Sequence, residues 1–251
     1  MWGITPSGRT LAHPNAKASC PTCNGDLIAK CGELKSWHWA HKTKDCDHWS
    51  EPESEWHRQW KERFPAEWQE QQIGNHRADV LTPRGIIEFQ RSPIKPAEIR
   101  ERESFYGKMA WVLDASSFCL EDWVTRQEYA ALYKLLNLGR PPFNLFDLMK
   151  LSQEEKHADE MKRRQIEAAW WAARRAMPRQ KYFWLWPRKA WLQSSKKVFL
   201  DVGSDHLLRI DRHTRAHDGE RWKTVIYCQK ISVGSFVSFC STPAPQPLTN
   251  A

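Results

Sequence analysis

Trp56, Trp60 and Phe64 recur at intervals of four residues, the spacing that lines one face of an α-helix. Ser50 and Glu53 precede them at the separation of a capping box, in which each side chain satisfies the other's free backbone N–H. The pattern therefore predicts a helix over about 51–63 with an aromatic inner stripe. The period then drops to two. A short strand over 77–81, a turn through Thr82, Pro83, Arg84 and Gly85, and a strand over 86–90 form a hairpin signature, because proline presets φ in the turn and glycine frees its end. A helix over about 96–108 and an apolar strand over 111–114 follow. Helix, strand, strand, helix, strand is the skeleton of a mixed central β-sheet flanked by helices, so α/β is the expected class.

Outside this segment the patterning changes. Residues 1–48 lack helical periodicity and are rich in Cys, His, Gly and Lys with short apolar stretches, as in a small metal-stapled β module. Pro141 to Phe146 has the composition of a linker. Ser152 and Glu155 form another capping box, opening a basic helix over about 152–177 that must stop before Pro178. Residues 198–202, 207–210 and 223–227 are predicted strands, and the Pro-rich, polar tail over 241–251 is expected to be disordered. There is no internal repeat. The predicted organisation is a zinc-ribbon-like module over 1–48, a main domain over 49–240 and the tail.

Composition adds three constraints. The chain has 251 residues, and its 38 Lys and Arg against 30 Asp and Glu give a net charge of +8, which favours an acidic partner such as nucleic acid. No apolar run approaches the roughly 18 residues that cross a bilayer, and no basic and then apolar leader follows Met1, so no membrane partner is expected. The seven cysteines, an odd number with one CxxC, fit a reducing compartment and hence a cytoplasmic location. Most of the 15 tryptophans are expected in core or interface positions.

The hairpin RADVLTPRGIIEFQ carries the candidate chemistry. Glu88 and Gln90, two residues apart on a strand, project from one face while Ile87 and Phe89 point to the core. Across the hairpin Asp79 can approach Glu88, and two carboxylates that close repel unless a cation lies between them. On the preceding helix Glu53, His57 and Lys61 fall at intervals of four, on a face that the aromatic stripe does not use. Carboxylates, an imidazole and a cation suit a metal and phosphate site; a plain solvated helix face carries the same residues.

The succession ESEWHRQWK, RADV, IEFQRSPI and the Arg100 and Tyr106 pair in IRERESFY resembles the nuclease domain of the competence protein CoiA-like family, a branch of the PD-(D/E)XK nucleases. CPTC and HWAH resemble that family's N-terminal part, and YFWLWPRKAW with VFLDVG its C-terminal part. The resemblance implies a restriction-endonuclease-like core and a metal-dependent deoxyribonuclease acting in competence and recombination, restriction or phage defence. It implies that Asp79 is the aspartate of the first catalytic strand, that Glu88 is the acidic residue of the second, and that Gln90 stands where most of the superfamily has lysine. Ala78 replaces the leading proline. On this reading Asp79, Glu88 and the Phe89 carbonyl hold Mg²⁺ or Mn²⁺, with Glu53 directly or through water, while Gln90 aligns the nucleophile and Lys61 or Lys95 can supply charge. Arg91, Lys95, Arg100, Tyr106, Lys162, Arg163, Arg164, Arg174 and Arg175 are the candidate DNA contacts, and a homodimer or partner protein is compatible. The competing expectations are a catalytically inactive nucleic-acid-binding accessory protein, which Gln90 keeps open, and an interaction protein whose tryptophans serve a partner chain.

Cys20 and Cys23 form a CxxC, and His38 and His41 an HxxH about fifteen residues later. Each pair can clasp one side of a tetrahedral Zn²⁺. Cys31 and Cys46 are the substitutes should one histidine not be a ligand. The competing reading is two buried thiols beside a Trp-rich strand.

Overall fold

Five short strands open the chain: β1 (Gly3–Thr5), β2 (Gly8–Thr10), β3 (Lys17–Ser19), β4 (Asp26–Lys30) and β5 (His38–His41), antiparallel in the order β2-β1-β3-β4-β5. Alternation turns Leu27 and Trp39 inward against Ala12 and Cys20, and the Trp39 indole N–H donates to the Thr10 carbonyl at 3.0 Å. Gly3 is required here, since a Cβ would lie 2.6 Å from the Ala18 Cβ and 2.8 Å from the Trp39 ring. The structure, a computed structural model, describes residues 2–33, 37–42, 47, 49, 53–122, 168, 172, 179–217 and 221–243. It divides into two units, one of residues 1–117, 188–209 and 231–251, the other of residues 118–187 and 210–230.

The five-stranded sheet belongs to the first unit, whose second sheet is mixed. After α1 (Glu55–Lys61) come β6 (Gln69–Ile73), β7 (His76–Thr82), β8 (Gly85–Gln90), α2 (Pro96–Tyr106) and β9 (Met109–Asp114). α3 (Lys189–Leu192), β12 (Lys197–Asp201), the start of β13 (His206–His217) and α4 (Val233–Ser241) complete it. β6, β7 and β8 pair antiparallel, β8, β9 and β12 pair parallel, and β13 returns antiparallel to β12. Between the parallel strands β8 and β9 the crossover is α2, which opens with Pro96 at its first turn and ends at Gly107 with φ 63°. On one face Trp60 and Phe64, from α1 and just beyond it, and Phe236 and Cys240 of α4 bury Val80, Ile87, Phe89, Val112, Phe199 and Leu207. On the other, α2 contributes Arg102 and Glu103, and Trp191 of α3 meets the fully buried Trp111 edge-on at 5.0 Å. The expected mixed sheet flanked by helices is present, with few helices.

The second unit contains β10 (Leu120–Asp122), β11 (Arg179–Trp184), the remainder of β13 and most of β14 (Trp222–Ser232). β11 pairs antiparallel with β10 and β14, and Trp184 stacks on Phe118 at 5.0 Å. β13 and β14 are longer than the predicted strands, because exposed positions such as Arg212–Arg215 carry no apolar alternation and are held by backbone pairing instead.

Two further expectations need correction. The first helix starts at Glu55 rather than Glu51, capped by Ser54 with φ −94° and ψ 165°, and the box closes on His57. An imidazole at the third helical position serves where the S-x-x-E spacing expects a carboxylate. Strand β6 and helix α4 were not anticipated. Ser50, the linker at 141–146, nearly all of the basic helix at 152–177 and the tail from 244 lie outside the described residues; Ala168 and Ala172 are helical.

Candidate active site

The β7–β8 register runs Val80↔Ile87, Leu81↔Ile86, Thr82↔Gly85, and its next step sets Asp79 across from Glu88. There the side chains enter the ladder: the Asp79 N–H donates to Glu88 Oε1 at 3.2 Å, and the Phe89 N–H donates to Asp79 Oδ2 at 2.8 Å. The two carboxylates therefore share a pair of strands and a local environment, as the sequence required. Ile87 and Phe89 enter the apolar core while Glu88 and Gln90 turn the other way, beneath α2, where each is 3% exposed. The Gln90 amide donates to the Ser92 carbonyl at 3.0 Å.

The β6–β7 register, Gln69↔Val80 and Gln71↔Ala78, sets Glu70 across from Asp79. Glu70, Asp79 and Glu88 thus form a row over three adjacent strands, with Glu70 at φ +50°, a conformation most side chains avoid. Two buried cations bracket the row. Lys61 Nζ bonds Glu70 Oε1 at 2.6 Å and also pairs with Glu53. Arg102 Nη1 donates to Glu88 Oε2 at 3.1 Å, while its Nη2 bonds Glu98 at 2.5 Å and the Trp49 carbonyl at 2.7 Å.

The charges are not evenly compensated. Burial and the nearby Glu70 oppose ionisation of Glu53, yet Lys61 brings it down to about 2; Glu70, also opposed by burial, is drawn well below the usual range by Lys61 and Arg77. Glu88 goes the opposite way. Burial first, and the Asp79 carboxylate second, push it up to about 8 against the pull of Arg102. The Asp79–Glu88 end of the row carries the unmet demand for positive charge.

His57 closes one side. Its Nε2 lies 3.1 Å from the Phe89 carbonyl and its Nδ1 2.8 Å from Ser54 Oγ. A carbonyl only accepts, so Nε2 carries a proton and donates it to the Phe89 oxygen. The Phe89 oxygen, expected as a metal ligand, is thus already hydrogen bonded, with its second lone pair remaining. Glu53, His57 and Lys61 do converge beside the hairpin, although Glu53 precedes the helix and reaches back to Lys61.

Of the expected DNA contacts, Lys95 and Arg100 are exposed, and Arg91 is exposed with its Nε 3.2 Å from Asp114. Tyr106 is not a surface residue. It is buried edge-on against Trp49 and Phe105, and its hydroxyl is pushed upward by burial and then by Glu88, Asp47 and Asp79. The pairing of Arg100 with Tyr106 is therefore corrected: the arginine one turn before Tyr106 on its own face is Arg102, and it holds Glu88. Lys162, Arg163, Arg164, Arg174 and Arg175 lie outside the described residues.

Sequence reasoning missed Arg102 and Glu70. The i, i+4 spacing of Glu98, Arg102 and Tyr106 was the available signal for the first; the polar run QEQQ gave none for the second. The buried Glu88 carboxylate and the half-buried Asp79 carboxylate from neighbouring strands are hard oxygen donors that fit a divalent cation such as Mg²⁺ or Mn²⁺. Among the described residues no third His, Cys, Asp or Glu atom joins them within 4.8 Å, so backbone oxygen or water would fill the remaining positions.

Cys20, Cys23 and His41 bring their ligand atoms within 4.8 Å of one another. Cys23 Sγ lies 3.4 Å from His41 Nε2, and the N–H groups of Thr22 and Gly25 point at Cys20 Sγ and Cys23 Sγ, each at 3.4 Å. The turn is closed by Cys20 N–H to the Gly25 carbonyl at 2.8 Å, with Asn24 at φ 58°. Two thiols and an imidazole so placed fit a structural Zn²⁺. His38 does not join them, since three residues along a strand put it on the opposite face from His41. Cys31 packs beside the module's core, and Cys46 lies outside the described residues.

Residues 11–48 match the family model of the competence protein CoiA, N-terminal domain. Over that stretch the chain is similar to the N-terminal domain of CoiA. The matched stretch contains Cys20, Cys23 and His41, and the carboxylate row lies beyond it. No curated protein and no solved structure gives a significant match. The five-stranded module touches the row directly: the Trp2 N–H donates to Glu70 Oε2 at 2.7 Å and Arg9 Nη2 to the Gln69 carbonyl at 3.0 Å. No helix among the described residues is long and apolar enough to cross a membrane.

Proposed function

We propose that this CoiA-like protein is a metal-dependent nuclease that hydrolyses DNA phosphodiester bonds, in a competence-related setting suggested by its N-terminal domain. The observation that carries the reading is Glu88. A carboxyl buried beside a second carboxyl and pushed up to about 8 is held ready for a cation that neutralises both. Asp79 and Glu88 would hold Mg²⁺ or Mn²⁺, which supplies phosphate polarisation and an acidified water. The protein's own part is positioning. Arg102 fixes the Glu88 carboxylate, His57 fixes the Phe89 carbonyl between the two acids, and Gln90, lacking a titratable group, can only orient a water. Cys20, Cys23 and His41 would hold Zn²⁺ and brace the module against β6.

Asp79→Ala and Glu88→Ala proteins that retain the fold are expected to lose Mg²⁺-dependent cleavage of linear, circular and single-stranded DNA. Undiminished cleavage by either would defeat the assignment. A second reading, a nucleic-acid-binding accessory protein that cleaves nothing, draws support from Arg102, which already places a guanidinium on Glu88. Wild-type protein that binds DNA but shows no cleavage with Mg²⁺ or Mn²⁺ would favour it.

A further inference from the structure

The second unit exposes two tryptophans at one end of the same ladder. The β11–β14 register ends at Trp184↔Thr224, and two residues further along each chain stand Trp186, 72% exposed, and Trp222, 61% exposed. Trp222 meets the His217 ring in a T-shaped contact at 5.6 Å and stays largely exposed. Tryptophan offers the largest apolar surface of any side chain, and exposing two together has a cost that a binding role accounts for.

The strands behind them are cationic. Among the described residues 210–217 and 221–230, Arg212, Arg215, Arg221, Lys223 and Lys230 face only Asp211 in number, and the cations remain in excess when Asp218 and Glu220 of the connecting segment are counted. Arg212 and Arg215 are both exposed. An anionic backbone with flat apolar faces matches this arrangement, which is the make-up of single-stranded nucleic acid. An anionic bilayer matches it less well, because among the described residues of this unit no large aliphatic side chain is exposed beside the tryptophans to serve as an anchor.

We propose that Trp186 and Trp222 are a base-stacking platform for single-stranded DNA or RNA, with Arg212 and Arg215 contacting its phosphates. The platform belongs to the second unit and the carboxylate row to the first, and the inference extends the nuclease reading by naming which residues grip a strand. It does not depend on cleavage.

The test is fluorescence anisotropy of the full chain in EDTA with a labelled deoxythymidine strand of about 20 nucleotides and with an abasic strand of equal length. Wild-type protein is expected to prefer the thymidine strand. Trp186→Ala with Trp222→Ala should weaken that binding by about tenfold or more and leave abasic binding unchanged, while the Phe replacements retain most of it. Arg212→Ala with Arg215→Ala should reduce the slope of log affinity against log salt by about 1.4. Equal affinity for the two strands by wild type, an unaffected double tryptophan variant, or binding to anionic vesicles without strand binding would overturn the platform. Strand binding without Mg²⁺-dependent cleavage would sink the nuclease reading alone; cleavage without base-dependent binding would sink the platform alone.

Discussion

At pH 7 the metal-free site is expected to hold a proton on Glu88. With a folded value of about 8, roughly nine in ten molecules carry it at pH 7 and about one in ten at pH 9. A divalent cation binding between Asp79 and Glu88 must displace that proton. Its affinity should therefore rise by about tenfold per pH unit between pH 6 and 8 and level off above 8. Isothermal titration of Mn²⁺ in two buffers of different ionisation enthalpy measures the release directly, with about 0.9 proton per ion expected at pH 7 and about 0.1 at pH 9. Glu88→Gln removes both the proton and the tight binding. The stability of the metal-free protein follows the same group. Between about pH 4.5 and 8 the unfolded chain has released a proton that the folded chain keeps, so stability should fall by up to about 1.4 kcal/mol per pH unit as pH rises through that window. Mn²⁺ binding that is pH-independent from 6 to 8 and releases no proton at pH 7 would refute the reasoning.

Three further outcomes follow from the same contacts. Lys61→Met leaves Glu53 and Glu70 buried without their cation and should cost about 3–5 kcal/mol in urea unfolding at pH 7; in the wild type that contribution is present above about pH 4.5 and fades as pH falls towards 2. Asp201→Ala strands the indole N–H groups of Trp56 and Trp60, which donate to its Oδ2 at 2.8 and 2.7 Å, and should cost about 2–4 kcal/mol in the same assay. Protein purified without a polyhistidine tag should contain about one zinc per chain by elemental analysis, and Cys20→Ser should lower that content severalfold; near-zero zinc in the wild type would remove the site.

The hairpin was legible because its signal is local. Period-two apolar residues and a Pro-Arg-Gly turn fix strands, turn and facing positions, so the Asp79–Glu88 pair could be placed before any coordinates. The CxxC was legible for the same reason, while His38 misled because the HxxH spacing was not tested against strand alternation. The helix cap was misplaced by four residues, since Ser50 with Glu53 has the expected spacing whereas the box forms at Ser54 and closes on an imidazole instead of a carboxylate. Arg102 and Glu70 were hidden by distance. Their partners come from other elements, and only the crossover of α2 and the register of β6 bring them to the row.

Trp56 and Trp60 find their shared acceptor, Asp201, 145 and 141 residues downstream. A helix of seven residues does not persist alone in water. On a ribosome adding roughly 5–20 residues per second, the nascent hairpin would wait about 6–22 s for the strand that carries Asp201. Through that interval the two indole N–H groups lack their acceptor, so the aromatic cover of the hairpin is completed only late in synthesis.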